Sequence, residues 1–290
     1  NPVDETTVGA YTVTYNVTDA NGNAAVEVTR TVNVIDTTIP VITLVGDATL
    51  TVEVGDTYTD AGATATDNYD GNLTASIVTV NPVDETTVGA YTVTYNVTDA
   101  NGNAAVEVTR TVNVVDTTVP VITLTGEATV TIEVGSTYTD AEATAIDNYD
   151  GDITSSIVTV NPVDTAVVGV YTVTYNVTDA NSNVAVEVTR TVNVVDTTVP
   201  VITLLGDATV TIEVGSTYTD AEATAIDNYD GDITDSIVTV NPVDTAVVGV
   251  YTVTYNVTDA NSNVAVEVTR TVNVVDTTVP VITLLGDATV

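Results

Sequence analysis

The segments Asp147-Asn148-Tyr149-Asp150-Gly151-Asp152 and Asp227-Asn228-Tyr229-Asp230-Gly231-Asp232 crowd carboxylates together, and Asp67-Asn68-Tyr69-Asp70-Gly71-Asn72 repeats them with an amide at the last position. Each is flanked by an upstream aspartate (Asp36, Asp116 or Asp196) and by a downstream turn such as Asp179-Ala180-Asn181-Ser182-Asn183, whose counterparts begin at Asp99 and Asp259. Oxygens in this number suit a hard divalent ion, since calcium takes about six to eight of them from carboxylates, amides and carbonyls. Carboxylates that converge without a cation repel, and the chain has no lysine to neutralise them. The expected calcium ligands are Asp36, Asp67, Asp70, Asn72 and Asp99; Asp116, Asp147, Asp150, Asp152 and Asp179; and Asp196, Asp227, Asp230, Asp232 and Asp259. Binding should be weaker where Asn72 replaces an aspartate. An EF-hand does not fit, because Tyr149 and Gly151 fall where alternating ligands must follow Asp147. Solvated turns use the same residue types, but the eleven acids and single arginine of residues 117–196 favour an ion. Catalysis has little to work with: without His, Cys or Lys the nucleophile–base pairs of acyl transfer are missing. Paired carboxylates can cleave glycosides, yet a chain has no need to repeat such a pair in every unit, so no enzyme is expected.

These segments must be held by strands. Tyr171, Val173, Tyr175 and Val177 alternate with Thr172, Thr174, Asn176 and Thr178, the period of a half-buried strand. The Asp179–Asn183 turn then leads into a second alternating run, Val184 to Val194, predicting an antiparallel pair. Further strands are expected over 201–204, 209–214, 218–226 and 233–240, with a weaker one over 243–248. The whole text recurs every eighty residues: Asn161 to Val210 is identical to Asn241 to Val290. A fixed long period marks an array of like units. Proline in Asp196-Thr-Thr-Val-Pro200 interrupts ladder pairing and marks the linker. On this phase the units are 37–116, 117–196 and 197–276. Residues 1–36 are then the last strands of a preceding unit and 277–290 the first strands of a following one, as in an excerpt from something longer. Short strands without a helical period read as an all-β sandwich, in which the linker aspartate and the two acidic loops should meet at the junction between units.

The spacing Gly169-Val170-Tyr171-Thr172-Val173 is that of a tyrosine corner, with valine where an immunoglobulin domain carries its second cysteine. Tyr11, Tyr91 and Tyr251 occupy the same place. Together with the Pro-Val-Ile-Thr-Leu opening, the Asp-Asn-Tyr-Asp-Gly-Asp loop and the Thr-Asp-Ala-Asn-Gly-Asn turn, this text resembles the bacterial immunoglobulin-like surface repeat, akin to hyalin repeats, found in tandem arrays of large secreted adhesins. The resemblance implies an all-β fold of tandem immunoglobulin-like β-sandwiches in an extended rod, and an extracellular, cell-surface location. The acidic loops also resemble the interdomain calcium sites of cadherins, although Asp-Thr-Thr-x-Pro offers fewer ligands than a linker rich in Asp and Asn. Fold resemblance says little about a ligand, because the architecture hosts many functions.

Composition limits the partners. Forty acidic residues against four basic ones give a net charge of −36, which excludes nucleic acid and anionic membrane surfaces. Apolar residues at 44% in clean alternation indicate a folded chain rather than a disordered one. No segment has the length of a membrane span or the form of a signal peptide. Without cysteine or lysine, neither disulfides nor lysine isopeptide bonds can brace units this small, which leaves metal. Arg190 shares the inward register of its neighbouring valines, so it either bulges outward or pairs with a carboxylate at the core margin. Tyr69, Tyr149 and Tyr229 are expected to pack on the neighbouring unit. Asn16, Asn72, Asn96, Asn176 and Asn256 lie in Asn-x-Thr sequons, which in a bacterial chain read as plain strand residues. Outward threonine rows invite an ice-binding reading, but threonine is also an ordinary strand residue. The expectation is an extracellular stalk, extender or fibre of an adhesin, stiffened by calcium, with calcium ions and adjacent repeats as partners. Two alternatives are an adhesive module recognising carbohydrate or protein, and a filament formed with like chains.

Overall fold

A computed structural model describes residues 3–286, and repeat 197–276 shows how the pattern becomes a fold. Strand Gly249–Asn256 follows the alternation, with Val253 and Tyr255 fully buried. It pairs antiparallel with Val268–Val275, setting Tyr251 opposite Val272 and Val253 opposite Arg270. Thr209–Glu213 lies parallel to Val268–Val275, and Val238–Val240 completes a four-stranded sheet on the other side. Val201–Leu204, Ala223–Asp227 and Gly231–Asp232 form a three-stranded sheet. The core joins Ile202 and Ala225 of the small sheet to Val253, Tyr255 and Val272 of the large one. Each buried valine contributes about 1.5–3 kcal/mol by leaving water. The same two sheet orders recur in repeats 37–116 and 117–196. The fold is therefore a series of immunoglobulin-like β-sandwiches.

By compactness the chain forms two units. One comprises Asn1–Val121, Ile146–Ile153 and Thr178–Ala185, and the other Ile122–Ala145, Thr154–Val177 and Val186–Val290. The first holds the ladder of Gly9–Tyr15 with Val28–Val34 and both sheets of repeat 37–116. It also holds the acidic loop 146–153 and turn 178–185 of the next repeat. The second holds the four-stranded sheet of repeat 117–196 and both sheets of repeat 197–276.

Several expected strands are shorter or missing. Residues 243–248 form a turn, in which Val247 N donates to Asp244 O and Ala246 N to Asp244 Oδ1; the local aspartate bonds displace ladder bonds. Residues 218–222 are not strand, and Glu222 takes a left-handed φ of 67° that breaks the pleat. The run 233–240 is split by a 3-10 turn, Thr234–Ser236, before strand Val238–Val240. Residues 277–286 form no strand, and residues 287–290 lie outside the described residues.

The tyrosine corner forms in all four copies: the hydroxyls of Tyr11, Tyr91, Tyr171 and Tyr251 donate to the carbonyls of Thr7, Thr87, Val167 and Val247, each at 2.9 Å. These rings are half-buried at the sheet end rather than central. The arginines of the three complete repeats go the other way. Arg190 is 1% exposed, deep in the sandwich rather than at its margin. It is ion-paired to Asp140, its Nε donates to Glu127 O at 3.0 Å, and its Nη2 donates to Thr125 O and to Glu142 O. The Tyr175 ring lies 5.8 Å from the guanidinium and its hydroxyl donates to Asp140 at 2.7 Å. Arg110 and Arg270 have the same arrangement with Asp60 and Asp220. A buried guanidinium must have its donors filled, and backbone carbonyls, a carboxylate and a ring face do so here.

Candidate metal centres

Strand Ala143–Asp147 delivers Asp147 at its end, where the chain turns back into Gly151–Asp152. Asp147 Oδ1 accepts the N–H groups of Tyr149 and Asp150 at 2.8 and 2.9 Å, which fixes the turn and directs the other oxygen away from it. That oxygen, Oδ2, is buried and has no hydrogen-bond partner, as are Asp67 Oδ2 and Asp227 Oδ2. From the turn, Asp179 approaches with Oδ1 accepting Asn183 N at 2.7 Å and Oδ2 accepting Asn183 Nδ2 at 2.8 Å. From the linker comes Asp116, whose Oδ2 accepts Asn181 Nδ2 at 2.9 Å and whose carbonyl accepts Asn183 Nδ2 at 3.2 Å. Asp116, Asp147 and Asp179 each place an oxygen within 4.8 Å of the others, and all three residues are buried.

The same convergence unites Asp36, Asp67, Asp70 and Asp99, and again Asp196, Asp227, Asp230 and Asp259. The first cluster is the most open, with Asp99 alone buried. Burial pushes the Asp99 carboxyl up, but donors from the Asn103 side chain and backbone outweigh it and hold the group below its ordinary value. Asp150 does not join its cluster; its Oδ2 accepts Ala180 N at 2.7 Å and ties the acidic loop to the turn. Asp152 and Asp232 also stay out of the carboxylate clusters. Asp232 Oδ1 and Asn72 Oδ1 accept the N–H of Thr234 and Thr74, each at 3.0 Å, the local bond that Asp and Asn favour at the start of a tight turn. The cluster of repeat 37–116 is also the most exposed one.

The residues fit a hard cation. The donors are all oxygens, three or four partly or wholly buried carboxylates face one another, and one buried oxygen in each cluster lacks any proton donor. Asparagine amides bridge the remaining oxygens, and a half-turn of the Asn183 amide presents its oxygen in place of its nitrogen.

A second set of acids at these linkers escaped sequence reasoning. Glu133, at the end of Thr129–Glu133, accepts Thr197 N at 3.0 Å, Thr197 Oγ1 at 2.7 Å and Thr198 Oγ1 at 2.9 Å, clamping the linker. Glu53 and Glu213 hold Thr117–Thr118 and Thr277–Thr278 in the same way. The backbone and hydroxyl donors of Thr197 lower the Glu133 carboxyl to about 2. The signal was the parallel register that sets Glu133 beside Val195, and periodicity alone does not reveal which strands pair. The tyrosines of the acidic loops reach the preceding repeat: Val8 N, Val88 N and Val168 N donate to the hydroxyls of Tyr69, Tyr149 and Tyr229 at 3.2, 3.5 and 3.4 Å.

Recurring two-sheet sandwiches with a tyrosine corner define a tandem immunoglobulin-like repeat protein. Residues 1–34, 42–114, 122–194 and 202–274 each match the domain described as bacterial surface protein, Ig-like domain, and the chain belongs to that family. It is 42% identical over 311 aligned residues to Hyalin of Strongylocentrotus purpuratus, covering 98% of this chain and 25% of that protein. To Hyalin of Lytechinus variegatus it is 38% identical over 306 residues, covering 99% of this chain and 56% of that protein. Among solved structures, that of CBM51-2 and INT domains from Clostridium perfringens ZmpB is 31% identical over 29% of this chain and 17% of that one, with a TM-score of 0.23. Among the described residues, no helix is long and apolar enough to cross a membrane.

Proposed function

We propose that this chain is a non-catalytic structural segment of an extracellular surface protein, a stalk or extender whose repeating units, 37–116, 117–196 and 197–276, are joined at calcium-binding linkers. Membership of a surface-protein repeat family supports the location and the structural role. Near-identity of successive units supports a task that grows with length rather than one performed at a single site. The observation that carries the calcium reading is the partnerless oxygen of Asp67, Asp147 and Asp227, each buried inside a cluster of aspartates. A divalent ion satisfies that oxygen and removes the repulsion among its neighbours. Its partners in this role are calcium ions and the adjacent repeats of the same chain.

Calorimetric titration of the full chain, stripped of metal and then given calcium or magnesium, tests the proposal. Calcium should bind at about one ion or more per cluster, ahead of magnesium, whose tighter octahedral shell suits a cluster of bulky carboxylates less well. Asp147→Asn should remove the ion of the middle cluster alone. Absence of calcium binding by the native chain, or full retention of stoichiometry in Asp147→Asn, rules the reading out.

A further inference from the structure

The chain contains five Asn-x-Thr sequons, and their side chains are not equivalent. Asn16, Asn96, Asn176 and Asn256 each donate Nδ2 to the glutamate just before the next strand, Glu27, Glu107, Glu187 and Glu267, at 3.1, 2.8, 2.7 and 2.8 Å. Asn72 differs in three ways. It is exposed at the end of Gly71–Asn72, and among the described residues its Nδ2, unlike those of the other four, donates to no glutamate. Its Oδ1 accepts Thr74 N at 3.0 Å, which polarises the amide and makes the Nδ2 protons more acidic. Its segment, Asp70-Gly71-Asn72-Leu73-Thr74, carries a carboxylate two residues upstream, where the other four sequons have threonine. The hydroxyl of Thr74 accepts Ala65 N at 3.1 Å and donates to Ala65 O at 3.5 Å, bonds it must release to meet the transferase. Repeats 117–196 and 197–276 have Asp152 and Asp232 at this position, so the feature belongs to repeat 37–116 alone.

We propose that Asn72 is an acceptor for N-linked oligosaccharide, giving one glycan on one repeat of an otherwise uniform array. The donor is a lipid-linked oligosaccharide diphosphate. In the transfer the sugar C1–O bond to the diphosphate breaks, the Asn72 Nδ2–C1 bond forms, and the proton leaving Nδ2 neutralises the released lipid diphosphate. Asp70 supplies an anionic anchor for a cationic groove of the transferase. In the other four sequons the nucleophilic nitrogen must first leave its glutamate. Asp70 also belongs to the acidic cluster and accepts Ala100 N at 3.0 Å, so it can serve as that anchor only in the calcium-free chain.

The test uses the folded, calcium-free full chain with a purified oligosaccharyltransferase of the class that requires a carboxylate two residues before asparagine, its lipid-linked heptasaccharide donor, and a free acceptor peptide in the same reaction. Peptide mass spectrometry reads occupancy at each sequon. The expected result is glycan at Asn72, occupancy lower by about tenfold or more at the four glutamate-bound asparagines, and no glycan at position 72 in Asn72→Asp. That variant carries the residue found in the other repeats, so it keeps the fold. An unmodified Asn72 beside a modified peptide overturns the proposal, as does equal occupancy at Asn72 and at Asn96, Asn176 and Asn256.

Discussion

Tyr171 shows how one hydroxyl fixes a chain reversal: it donates to the carbonyl of Val167, four residues earlier, and pins the loop that enters its own strand. Tyr171→Phe keeps the ring and loses the bond, so the thermal midpoint of its repeat should fall by a few degrees, measurable by calorimetry. The Arg190–Asp140–Tyr175 group matters more, because removing Asp140 leaves a guanidinium buried without its counter-ion. Asp140→Ala should destabilise repeat 117–196 by about 3–5 kcal/mol, and urea unfolding should split into an early transition for that repeat and a later one for the rest. Burial pushes the Asp140 carboxyl up, but the Tyr175 hydroxyl, the Glu142 N–H and the Arg190 charge together hold it below its ordinary value. Its contribution is therefore complete above the unfolded carboxylate pKa near 4 and is lost as pH falls through the lowered folded value. The inward register of Arg190 was legible in the sequence; its partner was not, because Asp140 lies in an irregular segment fifty residues away that no period describes.

At the scale of elements, strands that alternate over seven or eight residues could be read from the chain, and Gly169–Asn176 and Val188–Val195 both form. Short runs could not: Asp244 and Glu222 win their segments through local bonds and a left-handed φ, which outweigh weak strand preference. The convergence of linker, acidic loop and turn was legible through the topology of the resembled fold. The exclusion of Asp152 and Asp232 was not, since the same aspartate chemistry serves a turn or an ion equally well. The Glu133 clamp shows that the linker is held by protein groups as well as by any ion. Glu133→Gln should raise amide hydrogen exchange at Thr197 and Thr198 while leaving Val188–Val195 protected. In the native chain that protection should be complete above the unfolded glutamate pKa of about 4.3 and fall only as pH drops towards the folded value of about 2.

For the whole molecule, the eighty-residue period and the sandwich class could be taken from the sequence, because nearly every residue of one repeat is restated in the next. Chelation should leave each sandwich folded, since its core of valine, alanine and tyrosine contains no metal ligand. Small-angle scattering should then report greater flexibility on adding chelator, with β-sheet circular dichroism unchanged; loss of the β signal would mean that the ion holds the sandwiches themselves. The parallel pairing of Thr129–Glu133 with Val188–Val195 has a mechanical consequence. The first of these strands lies near the start of its repeat and the second ends it, so tension applied through the two chain ends pulls them along their length in opposite directions. Five ladder positions, Thr129 to Glu133, then resist in shear at once instead of opening one after another like a zip. Pulled from its two ends in a single-molecule force experiment, such a segment should yield in discrete steps, each releasing about eighty residues, like a row of equal fuses.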